Sequence, residues 1–290
     1  MTARWSAEAP AKVNLYLHVG PPDAAGYHPL SSLVVFADLG DRLSAEPAED
    51  FAFAVTGPFA EGLGGEDNLV VRGLRLAAQR RGSDLPPLAL TLHKHLPVAA
   101  GLGGGSSDAA AALKLVREAA WPDLTDAEIV TALADLGADG PMCFHACAAI
   151  AEGRGERLSP APALPPLHAV LVNPGVECPT GAIYRAYDAA GRFGGEARGG
   201  LRPAYATAAE LAAELALCRN DLEAPAVAHA PEVGEALEWL RGRPETLLAR
   251  LSGSGATSFA LCADGASAAA LAKAARDERP RWWTRQSCLY

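Results

Sequence analysis

Apolar and polar residues alternate through Val13-Asn-Leu-Tyr-Leu-His-Val, a period of two that predicts a strand over 13–19 with Lys12, Asn14, Tyr16 and His18 along one face. Apolar runs at 33–36 and 51–55, and the spacing of Leu88, Leu90 and Leu92, predict further strands. A helical period takes over at 68–81, with Asp67 placed to cap it. It returns after residue 107, where Ala109, Leu113, Val116 and Ala120 fall on one face until Trp121-Pro122 ends the helix. Thr125 and Glu128 have the spacing of a capping box. Ile129, Leu133 and Leu136 form the apolar stripe of the helix they open, and Gly137 stops it. Residues 138–141 read as a loop feeding a strand over 143–151.

Beyond the proline-rich stretch 160–166, the pattern predicts a strand at 168–172 and a helix at 180–187 capped by Thr180. Helices follow at 208–218, with Thr207 as N-cap, and at 231–241. A strand, a glycine turn and a strand occupy 250–259, then a helix 266–276 and a last strand 282–289. Residues 20–26 are turn-rich, and the glycine- and arginine-rich stretch 191–203 reads as a mobile loop. Strands and helices mix irregularly, which favours α+β over a doubly wound sheet. The proline-rich stretch divides the chain into candidate domains 1–160 and 161–290.

Composition narrows the function classes. Half of the 290 residues are apolar, yet no run of 18 could span a membrane, and the first residues lack the apolar core of a secretory leader. A net charge of −9 argues against a nucleic-acid partner, which needs a basic face. The six cysteines include no CxxC pair, so they read as buried free thiols in a reducing cytoplasm. Cys143, His145 and Cys147 would share one face of the expected strand, but no second ligand cluster follows, and no metal site is assigned.

The chemistry concentrates in Pro97-Val98-Ala99-Ala100-Gly101-Leu102-Gly103-Gly104-Gly105-Ser106-Ser107, which runs straight into a helix. Glycines let backbone amides approach anionic oxygens, and the helix N-terminus adds free N–H groups and a positive dipole end. This reads as an ATP-phosphate cradle, with a flexible turn between strand and helix as the competing reading, and it is not a Walker A loop, since no Gly-Lys-Ser/Thr follows. It is not a dinucleotide fingerprint either, since Ser106 replaces the third glycine. Taken alone, Lys12 is also an ordinary strand-end lysine, Asp139 an ordinary turn aspartate, and Gly253-Ser-Gly-Ala-Thr a simple tight turn.

Together the motifs resemble the galactokinase, homoserine kinase, mevalonate kinase and phosphomevalonate kinase (GHMP) superfamily. Pro10-Ala-Lys-Val-Asn-Leu, residues 97–107 and Leu251-Ser-Gly-Ser-Gly-Ala occur in its order, over nearly the whole chain. Asp23-Ala-Ala-Gly-Tyr-His, Glu66-Asp-Asn-Leu-Val, Leu136-Gly-Ala-Asp-Gly-Pro, Asn173-Pro-Gly-Val and Asn220-Asp-Leu-Glu resemble the branch that phosphorylates a cytidine-diphosphate-linked methylerythritol in non-mevalonate isoprenoid biosynthesis. The resemblance implies two domains, the first like one found in ribosomal proteins and the second ferredoxin-like, with the active site in the cleft between them. It also implies ATP and Mg²⁺, a small-molecule acceptor, a cytoplasmic location, and a monomer or weak homodimer. Lys12 and Asp139 match the catalytic pair. Asn14, Tyr27, His28, Thr180 and Tyr184 match the acceptor site, where His28 would read the cytosine edge and Tyr27 or Tyr184 would face the ring. Gly140 stands in place of the family's valine, a change expected to loosen the loop holding Asp139, and Val34 stands in place of an aromatic residue. Other acceptors of the superfamily, or a non-catalytic nucleotide- or RNA-binding module, are the competing readings.

Overall fold

The computed structural model describes residues 5–191, 193–194 and 201–290; of the stretch expected to be a mobile loop, residues 192 and 195–200 lie outside these. In chain order the elements are β1 (Trp5–Val19), β2 (Leu30–Pro47), β3 (Ala52–Thr56), α1 (Leu69–Arg81), β4 (Leu88–His93), α2 (Gly104–Ala119), α3 (Asp126–Leu136) and α4 (Asp139–His145). Then come β5 (Ala149–Gly153), β6 (Arg157–Pro160), β7 (Leu167–Asn173), α5 (Thr180–Ala190), α6 (Ala208–Leu215), α7 (Glu223–His229) and α8 (Pro231–Arg241). The chain ends with β8 (Thr246–Leu251), β9 (Ser258–Cys262), α9 (Gly265–Glu278) and β10 (Trp283–Leu289). The mixture is α+β, as the irregular order of periods implies.

Two compact units are not continuous in sequence: Met1–Ala11, Leu39–Val98 and Gly103–Ala146 form the first, and Lys12–Asp38, Ala99–Leu102 and Cys147–Tyr290 the second. The proline-rich stretch 160–166 falls inside the second. β1 and β2 each contribute residues to both.

In the first unit, β4 runs antiparallel to Arg42–Pro47 of β2 and parallel to β3. Its alternation buries Leu88, Leu90 and Leu92. Helices α1 to α4 pack on one another through Val70, Leu74, Leu113, Val116, Ile129 and Leu133. Thr125 and Glu128 close the expected capping box on α3. Asn68, not Asp67, caps α1, its side-chain oxygen accepting from the Val70 amide at 2.9 Å.

Residues 139–145 are a helix, not the expected loop and strand. A proline at the third position of a helix lacks no needed donor, and burial of Met142, Cys143 and Phe144 outweighs the weak preference of Phe144 for a strand. Cys143 is therefore buried while His145 and Cys147 are exposed, and the shared strand face does not exist. None of the six cysteines forms a disulfide, but only Cys143, Cys178 and Cys262 are buried.

In the second unit, strands stand in the order β10-β7-β9-β8, all antiparallel. The path β7, helices, β8, β9, α9, β10 gives the order 4-1-3-2, a ferredoxin-like sheet. Helices α8 and α9 cover it through Ala236, Leu240, Ala268, Leu271 and Ala275. A second core joins Leu17 and Val19 of β1 to Ile183, Tyr187, Leu222 and Val233. Thr180 does not cap α5: Pro179 holds that position and Thr180 lies in the first turn.

Candidate active site

The backbone of Ala99–Leu102 has four consecutive carbonyls tied to the protein. Ala99 O accepts from the Cys178 amide (3.4 Å), Ala100 O from the Thr257 amide (3.1 Å), Gly101 O from Ser252 Oγ (2.9 Å) and Leu102 O from the Lys12 amide (2.8 Å). An anion is repelled by carbonyl oxygens and held by amides, so fixing the carbonyls is what an anion loop requires. Gly101 has a positive φ of 71°, and a Cβ there would lie 2.1 Å from the Ser252 carbonyl oxygen. Glycine is thus demanded by the close approach of the 252–255 turn as much as by any ligand.

Gly103 is the N-cap of α2 in the left-handed region, and no side chain caps the helix. The N–H groups of a first helical turn have no partner within the helix. Each such bond to a charged oxygen contributes about 1.5–3 kcal/mol. The Ser107 hydroxyl donates to Pro10 O at 2.8 Å and anchors this turn to β1.

Behind α2 lies a charge cluster that sequence reading missed. Lys94 Nζ is 2.5 Å from Asp41 Oδ2 and 2.6 Å from Asp108 Oδ2, all three side chains being buried. Asp41 Oδ1 also accepts from the amides of His95 (2.5 Å) and Leu96 (2.8 Å), whereas Asp108 Oδ1 has no partner. Burial raises the Asp108 carboxyl to about 7; the Lys94 ammonium opposes this and the Asp41 charge adds to it. Burial works against the Lys94 charge, but the two carboxylates outweigh it and hold its pKa above the ordinary value. A Cβ at Gly104 would sit 3.1 Å from Lys94 Nζ, so the cluster lies directly under the first residue of α2.

Lys12 and Asn14, in the second unit, are joined by a 2.8 Å bond from Nζ to Oδ1. Asn14 Nδ2 donates to Ser32 Oγ at 2.8 Å and its amide to Ser252 Oγ at 3.2 Å. Ser32 Oγ donates in turn to Tyr16 O. Ser252 therefore ties β1 to the glycine loop, and Asn220 clamps the same turn by donating to Leu251 O and Gly253 O at 2.8 Å each. The polar periodicity of β1 signalled Lys12 and Asn14, and Ser252 lay within the Leu251-Ser-Gly-Ser-Gly-Ala motif, but nothing local marked Ser32.

Asp139, in the first unit, is the first residue of α4, where the helix dipole favours a negative charge. A Cβ on Gly140 would lie 2.5 Å from Leu133 O. Gly140 thus lets α4 approach α3 closely and does not loosen a loop.

The acceptor-side candidates gather around residues 20–28 and α5. Asp23 Oδ1 accepts from the amides of Ala25 and Tyr27, both at 2.9 Å, closing the loop. Tyr27 is 53% exposed, with the Arg154 guanidinium 3.6 Å from its ring centroid. His28 is buried. Its Nδ1 lies 2.8 Å from the Gly20 carbonyl, so that nitrogen must donate, and its Nε2 lies 3.1 Å from Asp188. The His28 ring centroid is 5.2 Å from that of Tyr184. Thr180 Oγ1 is 3.1 Å from Ser254 Oγ. Val34 is fully buried and offers no surface. Among the described residues, no group of three or more His, Cys, Asp or Glu is placed to hold a metal ion, and no helix is long and apolar enough to cross a membrane.

The model described as GHMP kinases N terminal domain matches residues 68–148, and that described as GHMP kinases C terminal matches 202–280, which defines the class as GHMP kinases. The 4-diphosphocytidyl-2-C-methyl-D-erythritol kinase of Caulobacter vibrioides is 58% identical over 288 residues, 99% of each chain. That of Hyphomonas neptunium is 51% identical over 290 residues, 98% of this chain and 96% of the relative. A crystal structure of 4-(cytidine 5'-diphospho)-2C-methyl-D-erythritol kinase matches with a TM-score of 0.76 at 34% identity, covering 98% of each chain. The chain belongs to the 4-diphosphocytidyl-2-C-methyl-D-erythritol kinase family.

Proposed function

We propose that this chain transfers the γ-phosphoryl group of ATP to the 2-hydroxyl of 4-diphosphocytidyl-2-C-methyl-D-erythritol, a step of non-mevalonate isoprenoid biosynthesis. The observation that carries the reading is the loop of four tied carbonyls leading into an uncapped α2. Backbone N–H groups between residues 98 and 106 hold the β- and γ-phosphates, within the loop 97–107. The acceptor oxygen forms a new bond to the γ-phosphorus, the bond to the β–γ bridging oxygen breaks, and ADP leaves. Asp139 takes the hydroxyl proton, and the Lys12 ammonium counters charge on the transferring group. Asn14 fixes Lys12 through their mutual bond.

On the acceptor side, Tyr27 offers the ring face left uncovered by Arg154, and Tyr184 a second aromatic surface. Thr180 hydrogen-bonds the acceptor. His28 reaches cytosine through Nε2 only by exchanging Asp188 for the base, because Nδ1 is held by Gly20 O. Mg²⁺ neutralises phosphate charge when bound. Such an ion would be held by the nucleotide's phosphates with at most one or two carboxylates and would keep several waters. The enzyme works in the cytoplasm as a monomer or weak homodimer, without a nucleic-acid partner.

The test is Asp139→Asn in a coupled ADP-release assay with the cytidylated acceptor. Turnover should fall roughly 10²- to 10⁴-fold, with ATP affinity little changed. Turnover within a few-fold of the parent enzyme would remove Asp139 as the base.

A further inference from the structure

Strand register brings two distant turns together in the second unit. β5 runs antiparallel to β2 with Gly153 opposite Leu30, so the β5–β6 turn at 154–156 stands beside the loop 20–28. That turn is fastened from within: the Gly155 amide donates to Glu152 O at 3.0 Å, and the Arg154 amide to the Glu156 carboxylate at 2.6 Å. The loop is fastened by Asp23. Its backbone amide donates to Tyr27 O at 2.7 Å, and its Oδ1 accepts from the amides of Ala25 and Tyr27.

The second carboxylate oxygen of Asp23 accepts from Arg154 Nη2 at 3.2 Å. The guanidinium held there lies 3.6 Å from the centroid of the Tyr27 ring, in van der Waals contact with its face. Among the described residues the Tyr27 hydroxyl makes no hydrogen bond and no other ring lies against this one. The ring is 53% exposed, so one face is occupied and the other is open. A tyrosine on a surface loses rotamer freedom when a ligand stacks on it, and that loss weakens binding. Here an ion pair holds the cation, and the cation holds the ring before any ligand arrives. The planar guanidinium suits this task better than a lysine ammonium, because it stacks on the ring while its edge stays free to pair with Asp23.

We propose that Arg154 is a positioning residue for the acceptor: it backs the Tyr27 ring, so that the open face is preset to stack a pyrimidine base. This rests on the kinase reading above, in which Tyr27 faces the cytosine. Acting through Tyr27, Arg154 strengthens acceptor binding equally before and during phosphoryl transfer, and leaves the chemical step alone.

The test is steady-state kinetics with ATP and the cytidylated methylerythritol on Arg154→Met, Tyr27→Leu and the double variant, each shown by its melting curve to be folded. Arg154→Met should raise the acceptor KM roughly fivefold, with kcat and the KM for ATP unchanged. Arg154→Lys should recover part of the loss, since a cation remains against the ring. In the Tyr27→Leu background, Arg154→Met should change the acceptor KM by less than about twofold, because the ring it backs is gone. Should Arg154→Met not fold, Arg154→Gln takes its place in the cycle. An acceptor KM left at the parental value by Arg154→Met would overturn the proposal, and so would a fall in kcat with KM unchanged. An undiminished effect in the Tyr27→Leu background would overturn it too, since the guanidinium would then bind the acceptor itself or only join the two turns. A parent chain that phosphorylates the acceptor while its variants fail these tests loses this inference and keeps the kinase reading; a parent chain with no turnover on it loses both.

Discussion

Asp108 shows how much a single side chain can be asked to bear. It sits in the first turns of α2 with one oxygen on Lys94 and the other unpaired, and burial is the first cause of its raised pKa, to about 7. In the unfolded chain the same carboxyl has its ordinary value of 3.8. Between those values the folded state binds more protons than the unfolded one, so this group's contribution to stability is full below about pH 4 and is lost as pH rises to about 7. Asn mimics the protonated form at every pH. Melting curves of Asp108→Asn and the parent should therefore diverge in favour of the variant as pH rises through this window and run parallel above it. A stability difference independent of pH would show that Asp108 is ionised throughout. Nothing in the local sequence announced the cluster, because Asp41, Lys94 and Asp108 are 53 and 14 residues apart and meet only through the packing of β2, β4 and α2.

At the scale of elements, the glycine loop was legible as a run of residue types, but the reason for each glycine was not. Sequence chemistry assigned all four to ligand approach, whereas Gly101 faces the 252–255 turn. Gly101→Ala combines a left-handed backbone, unfavourable by roughly 1–2 kcal/mol for a residue with a Cβ, with a collision against Ser252 O. The loop must shift, and the ties at Gly101 O and Leu102 O shift with it. Calorimetry should find ATP binding weakened at least tenfold in a protein that still melts cooperatively. Unchanged affinity would mean that the tied carbonyls do not set the phosphate site. The misread element, 139–145, failed for a related reason: Phe144 prefers strands, but helix-to-helix contact at Gly140 decided the conformation. Short α7 and the hairpin strand β6 carried too few residues for a period to emerge.

Across the molecule, the alternation of β1, the capped helices and the three spaced motifs sufficed to assign the α+β class and the superfamily. The partition of the chain into units was not legible, because β1 and β2 each serve both and the glycine loop is shared between them at Leu102 and Gly103. Ser252 and Asn220, which hold the loop and β1 in place, act across more than 30 residues and leave no periodic trace. The relatives at 58% and 51% identity give the family, and the loop with its fixed carbonyls is the anion site we propose for its chemistry. The most direct measurement is of the product formed from ATP and the cytidylated methylerythritol, by mass spectrometry with phosphorus NMR. The account predicts ADP and a product one phosphoryl group heavier, its new phosphorus attached at the tertiary 2-position and showing no three-bond coupling to a proton. A new phosphorus signal coupled to a carbinol proton, or no phosphorylated product from this acceptor, would contradict it.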